Sequence, residues 1–308
     1  MLIDFPNYSY ANPWQVKTIQ TSAPMEVRLS NSLELGDYFA LHISWEDILL
    51  NGCDTADKAK YKIEQFENFL QKQSIHSKIV WTIHNKTSHR FQFKEEEQML
   101  REVIMHYASM IVIMSKKHSF LVPEAYKSKI VVIPHYIQRN RFYQLRKNKL
   151  PTLFRYGANR GKKDDECFLR ILNNSKIKKF VSDRRINNEV DSVDYVITKR
   201  RFTFNEAELY AQISNFSTYF QTPQFNSGVM NFMIGSDIAV FHDLDSIRYM
   251  DLPESFNQYC IDLNSFKRWE AEEIISQLEN QRENINDYVS MRTPKVISNT
   301  FWKYLLDT

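Results

Sequence analysis

The chain has 308 residues, 43% of them apolar and 14% aromatic, enough for real cores in two domains of ordinary size or one large one. A net charge of +3 fits an anionic ligand or an anionic membrane surface but falls well short of a dedicated nucleic-acid binder. Cys53, Cys167 and Cys260 stand far apart with no CxxC pair, which argues against a disulfide framework or a zinc site and for reduced thiols in a cytosolic setting.

MLIDFPNYSYANPW lacks the basic-then-apolar pattern of a signal peptide, and no window approaches the roughly 18 apolar residues of a spanning helix, so a soluble protein is expected. A short strand opens the chain and runs into NYSYANPWQ, whose hydroxyls, amides and aromatics suit either a turn or a ligand-facing loop. Tyr38 to Ile43 reads as a buried strand ending in Ser44-Trp45-Glu46, and residues 56–73 read as a surface helix. Lys78 to His84 reads as a strand whose mostly apolar run is the pattern of burial on both faces, and it breaks into the polar cluster His84-Asn85-Lys86-Thr87-Ser88-His89. Lys94 to Ala108 is helical, with three glutamates at its start, where the helix dipole favours them. Ser109 to Met114 is a strand, 116–126 a short helix, and Lys129 to Pro134 a strand that ends at His135.

Strands alternating with helices indicate βαβ units and a parallel sheet. Residues 138–151 (QRNRFYQLRKNKLP) interrupt the alternation as a basic linker, after which it resumes. Strands are expected near 152–156, 179–181, 195–197, 217–221 and 237–241, with helices near 164–173, 205–215 and 227–234. The division expected is an N-terminal domain over 1–145 and a second over 146–295. An aromatic helix at about 296–308, with Phe301, Trp302 and Tyr304, would pack back on the first.

Three constellations bear chemistry. After the strand at 152–156, Gly157-Ala158-Asn159-Arg160-Gly161-Lys162-Lys163 offers a guanidinium fork and two ammonium groups suited to a diphosphate, or a solvated basic turn. Asn226-Ser227-Gly228 opens an apolar helix whose N-terminal amides would attract phosphate, although Ser227 as a plain N-cap explains it equally. His84, Asn85, His89 and His135 follow strand ends, where ligands sit in open α/β sheets. No paired-histidine helix accompanies them, which disfavours a metal. GxSxG, Walker A and GxGxxG patterns are all missing, which disfavours hydrolase, kinase and dehydrogenase readings.

The order of segments resembles bacterial GT-B fold glycosyltransferases that build capsule, O-antigen (lipopolysaccharide) or exopolysaccharide, similar to family 4 and its relatives. VWTIHNKTSH looks like their T-x-H-N-x-x-x-H element, ASMIVIMSKKHSFLV and KIVVIPH like the segments that follow it, and FRYGANRGKK like their G-x-x-R-x-x-K donor-phosphate turn. FNEAELYAQISNFSTYFQT and FNSGVMNFMIGSDIAVFHDL resemble the helix, strand and loop of the donor site. The chain departs at the paired glutamates of family 4, whose places hold Thr222 and Met230, and in having NYSYANPWQ for a glycine-rich loop.

This resemblance implies an α/β protein of two Rossmann-like domains with parallel sheets facing across a cleft. The second domain would bind a UDP- or GDP-linked sugar through Arg160, Lys163, Asn226, Ser227 and Gly228. The first would hold a glycan or polyprenyl-linked acceptor near Asn12, Trp14 and His135. Catalysis would rest on His84, with His89 second and Asn85 assisting, without a metal or other cofactor. Retaining and inverting routes both stay open. The basic linker and Ser115-Lys116-Lys117-His118 fit contact with anionic lipid at the inner face of the membrane. The rival readings are a non-catalytic sugar-nucleotide-binding or assembly protein, kept open by the missing glutamates, and a nucleic-acid binder, disfavoured by the modest charge.

Overall fold

In the computed structural model the described residues are 1–7, 15–87, 92–145, 147, 151–156, 179–182, 195–198, 202–219, 228–242, 247–252, 260–262 and 282–308. They fall into two units, Met1–Tyr136 with Pro294–Thr308, and Ile137–Thr293.

The first unit is built on a parallel sheet of β1 (Leu2–Phe5), β2 (Val27–Leu29), β3 (Ala40–Ile43), β4 (Lys78–Thr82), β5 (Met110–Ile113) and β6 (Ile130–Val132), in the order β2-β1-β3-β4-β5-β6. β1, β3 and β5 are buried at every position, so they lack a polar–apolar alternation, and apart from Asp4 and His42 their residues are apolar. β2 escapes a reading by periodicity because it is a short, partly exposed edge strand.

Alternate residues serve opposite faces. Ile3, Phe5, Leu41, Ile79, Trp81 and Ile111 pack under α1 (Ala56–Gln73) and α2 (Lys94–Tyr107). α1 starts at Thr55, whose hydroxyl accepts the Lys58 amide, and buries Ala59, Ile63, Phe66, Leu70 and Gln73 at helical spacing. The glutamates of α2 do more than complement its dipole, since Glu96 and Glu97 are buried. Leu2, Ala40, Val80, Met110 and Val112 face the other way, toward Ile297, Phe301, Trp302 and Leu305 of the C-terminal helix. Trp302 Nε1 donates to the Ile19 carbonyl at 2.7 Å, and Ser298 Oγ accepts the Ser22 amide at 2.9 Å. The helix at 294–307 therefore covers this face of the first sheet.

The second unit has a parallel sheet of β7 (Thr152–Arg155), β8 (Lys179–Ser182), β9 (Tyr195–Thr198), β10 (Phe216–Tyr219), β11 (Ala239–His242) and β12 (Cys260–Asp262), ordered β12-β11-β10-β7-β8-β9. Its core gathers Leu153, Phe154, Phe216, Met230, Met233, Val240 and Ile285. α3 (Phe204–Ile213) begins in a capping box of Thr203 and Glu206, α4 (Gly228–Gly235) is apolar, and α5 (Arg282–Ser290) buries Ile285, Tyr288 and Val289. α6 is the C-terminal helix (Pro294–Asp307). Of the expected elements, the helix at 164–173 lies outside the described residues.

The division falls at Tyr136–Ile137, upstream of the boundary at 145 expected from the sequence. The reason is that the basic segment is docked on the second unit. Arg139 pairs with Asp237 at 2.7 Å and donates to Asn286 Oδ1 at 2.6 Å, while Arg141 pairs with Glu208 and with Asn205. Buried Asn140 donates to the Glu208 carbonyl at 2.8 Å and to Ser236 Oγ at 2.9 Å, and Lys147 donates to the Ala211 and Ser236 carbonyls. The segment passes so close to the end of α4 that a Cβ at Gly235 would stand 2.2 Å from the Gln138 carbonyl oxygen.

Candidate functional site

Parallel strands deliver their C-terminal residues to one edge of a sheet, and the segments leaving that edge carry the chemistry. In the first unit β3 hands over to Ser44-Trp45-Glu46, β4 to Ile83-His84-Asn85, and β6 to Ile133-Pro134-His135. Because β3 pairs with β4 in the register Ile43↔Trp81, Trp45 and His84 emerge side by side. Their rings stack with centroids 4.3 Å apart and planes 5° from parallel.

His84 is 5% exposed. Burial holds its pKa well below the ordinary 6.5, and the neighbouring His135 and His42 push in the same direction. At neutral pH it is an uncharged imidazole. His135 is half-buried, with Nδ1–H donating to the Tyr136 carbonyl at 2.7 Å, which fixes its tautomer, and its ring packs on that of Tyr136 at 4.7 Å.

Directly under this edge runs a buried polar chain across three strands. Asp4 of β1 accepts from His42 Nδ1–H at 2.8 Å and from Ser44 Oγ at 2.8 Å. His42 Nε2 meets Thr82 Oγ1 of β4 at 2.8 Å, and Phe301 of α6 stands edge-on to the His42 ring at 5.6 Å. Asp4, His42, Ser44 and Thr82 have no exposed surface, so the chain is a rigid support rather than a surface for substrate.

On the opposite face an ion cluster anchors the same loop. Arg101 of α2 pairs with Glu46 at 2.6 Å and with Glu97 at 3.5 Å, and donates to the carbonyls of Asn85 at 3.0 Å and of Lys86. Glu46 also accepts Trp81 Nε1 at 3.3 Å. Burial pushes the Glu46 carboxyl above its ordinary value, and Arg101 opposes this without cancelling it.

Of the residues singled out from sequence, His84, Asn85 and His135 lie along this edge, Asn85 through its backbone carbonyl in the contact with Arg101. His89, Asn12 and Trp14 lie outside the described residues, as do Arg160, Lys163, Asn226, Ser227 and Thr222. Gly228 is described and exposed, and among the described residues nothing stands within 4 Å of where its Cβ would be. Packing does not demand a glycine there.

Sequence reasoning missed Trp45, Glu46 and Arg101, whose partners come from separate elements. It also passed over Arg155 and His242, buried at the C-terminal ends of β7 and β11. A signal for these two existed, since each ends a short apolar run with a polar group, the pattern that drew attention to His84 and His135. Among the described residues no group of His, Cys, Asp and Glu is placed to hold a metal ion.

No protein-family model and no curated protein matches the chain. Solved structures do. Anabaena HepE (Alr3699) in complex with UDP is 9% identical, with a TM-score of 0.59 over 100% of this chain and 99% of that one. The UDP-forming α,α-trehalose-phosphate synthase of Burkholderia vietnamiensis is 8% identical, with a TM-score of 0.54 over 87% of this chain and 71% of its own. The pneumococcal O-GlcNAc transferase GtfA, in complex with UDP and GlcNAc, is 11% identical, with a TM-score of 0.50 over 87% and 57%. The likeness extends through both parallel α/β units, and the chain has the GT-B fold.

Proposed function

We propose that the protein is a metal-independent glycosyltransferase of the hexosyl-transferring type, moving a sugar from a nucleotide diphosphate sugar to a glycan or polyprenyl-linked acceptor in bacterial surface-polysaccharide synthesis. The observation that carries the reading is the fold, shared end to end with a protein whose structure holds UDP. The relationship to family 4 and the choice of UDP over GDP belong to the same proposal.

In this reading the first unit receives the acceptor and the second the donor. Arg160 and Lys163 neutralise the diphosphate, helped by the amides at Asn226-Ser227-Gly228 at the start of α4. On the inverting route His84 takes the acceptor hydroxyl proton as the acceptor oxygen bonds to the sugar C1. The C1–O bond to phosphate breaks, and the diphosphate leaves with that electron pair. A neutral imidazole has the form needed to accept a proton, and its lowered basicity ties proton transfer to departure of the diphosphate. His89 is the second candidate. On the retaining route Asn85 and Asn226 would line the sugar, while Asn12, Trp14 and His135 would form the acceptor wall.

No helix among the described residues is long and apolar enough to cross a membrane. Peripheral contact with the cytoplasmic leaflet would fall to exposed Lys116 and Lys117 beside Phe120, which is 51% exposed. His118 is buried, and Arg139, Arg141 and Lys147 are engaged within the second unit, so these four residues contribute little to such contact.

Thr222 and Met230 at the places of the paired glutamates favour a second reading, a GT-B protein that binds sugar nucleotides without turnover. Incubation with a panel of UDP- and GDP-sugars, with release of nucleotide followed, separates the two. Turnover is expected, and His84→Gln should lower it by about 10²–10⁴-fold with nucleotide affinity kept. A wild-type rate in His84→Gln would remove His84 as the base.

A further inference from the structure

We propose that Arg101 is the positioning residue of the His84 loop, one buried guanidinium that keeps His84 against the face of Trp45. The inference rests on the reading of His84 as the acceptor-side group.

Arg101 is 8% exposed and lies between two carboxylates, Glu46 at 2.6 Å and Glu97 at 3.5 Å. Burying a guanidinium is costly unless its charge is matched and its N–H groups are satisfied. The carboxylates match the charge. Beyond them, NH1 and NH2 go to the carbonyls of Lys86 and Asn85, in the loop that carries His84, while Nε finds no acceptor among the described residues. A planar fork can bridge two successive carbonyls, whereas an ammonium group offers only a point charge.

The same cluster holds the other half of the stack. Glu46 follows Trp45 directly and is fixed by Arg101 and by Trp81 Nε1 at 3.3 Å, with the guanidinium 6.0 Å from the Trp81 ring. Trp45 leaves β3 and His84 leaves β4, so each partner of the stack is tethered beside the ring through one arginine from α2. Lys60, 3.8 Å from Glu96, and Lys94, 3.3 Å from Glu97, balance the surplus negative charge from outside.

Histidine ring resonances of the full chain test this without reference to turnover. An imidazole lying flat on an indole has its ring protons shifted upfield by the indole ring current, and the His84 lines are identified by their disappearance in His84→Gln. In Arg101→Met the upfield shift should be lost while the lines of His42, buried under α6, stay in place and report an intact sheet. Should Arg101→Met fail to fold, Arg101→Lys is read the same way, since it keeps the charge without the fork. His84 lines unmoved in either folded variant would overturn the proposal.

A kinetic measurement accompanies this. Arg101→Lys should lower kcat by about 10²-fold with KM for the nucleotide sugar unchanged, because the loop is misplaced and the donor site is not. A fall in nucleotide affinity with kcat kept would count against it. If the wild-type chain turns over no sugar nucleotide but the His84 lines move as expected, the transferase reading fails and the positioning role of Arg101 stands.

Discussion

His84 couples the site to stability in a way that pH exposes. Its imidazole is held well below 6.5 in the folded chain, so the unfolded chain binds a proton that the folded one refuses. Its neutral form carries no penalty above about pH 6.5. As pH falls below that value, stability is lost at no more than about 1.4 kcal/mol per unit, and the loss levels off below the folded pKa. Denaturant unfolding of wild type and His84→Gln between pH 7.5 and 5.5 should therefore show a shallower acid loss in the variant. Parallel slopes would mean that His84 is not held neutral. The run Ile79 to His84 announces a buried strand ending in an imidazole, and that much is readable from residue types alone. Its stack on Trp45 is not, because it depends on β3 and β4 being neighbours in a particular register, a fact held in the whole sheet.

At the scale of elements, the apolar runs and helical spacings place α1, α2, β4 and β10 close to where they lie. Charge is where sequence and structure part. Residues 138–151 read as a basic linker because they lack periodicity, yet Arg139, Asn140, Arg141 and Lys147 hold to α3 and to the end of α4 through ion pairs and main-chain carbonyls. Glu97 likewise reads as one of three dipole-complementing glutamates and is also a buried partner of Arg101. Partners distant in sequence decide both cases, and composition cannot name them. Gly235 marks the tightest of these contacts. Gly235→Ala would bring its Cβ to 2.2 Å from the Gln138 oxygen, and backbone on both sides must move. The expected cost is about 1–3 kcal/mol, measured by denaturant unfolding. An unchanged midpoint would show that the segment is not held against α4.

On the scale of the whole molecule, the alternation of strands and helices in two successive halves was enough to read a two-unit α/β protein, and the likeness to solved structures agrees on a GT-B fold. The proposed donor residues rest on residue types near expected strand and helix ends alone, since Arg160, Lys163 and Ser227 lie outside the described residues. Binding of nucleotide to the folded chain alone stabilises it, by about 2.7 kcal/mol at a hundredfold excess over Kd. Titration of UDP and of GDP into the full chain, followed by thermal unfolding and calorimetry, therefore tests the central claim most directly. The account predicts saturable stabilisation by one of the two nucleotides and its loss in the Arg160→Ala, Lys163→Ala double variant. Failure of both nucleotides to bind, or stabilisation that survives the double substitution, would contradict it.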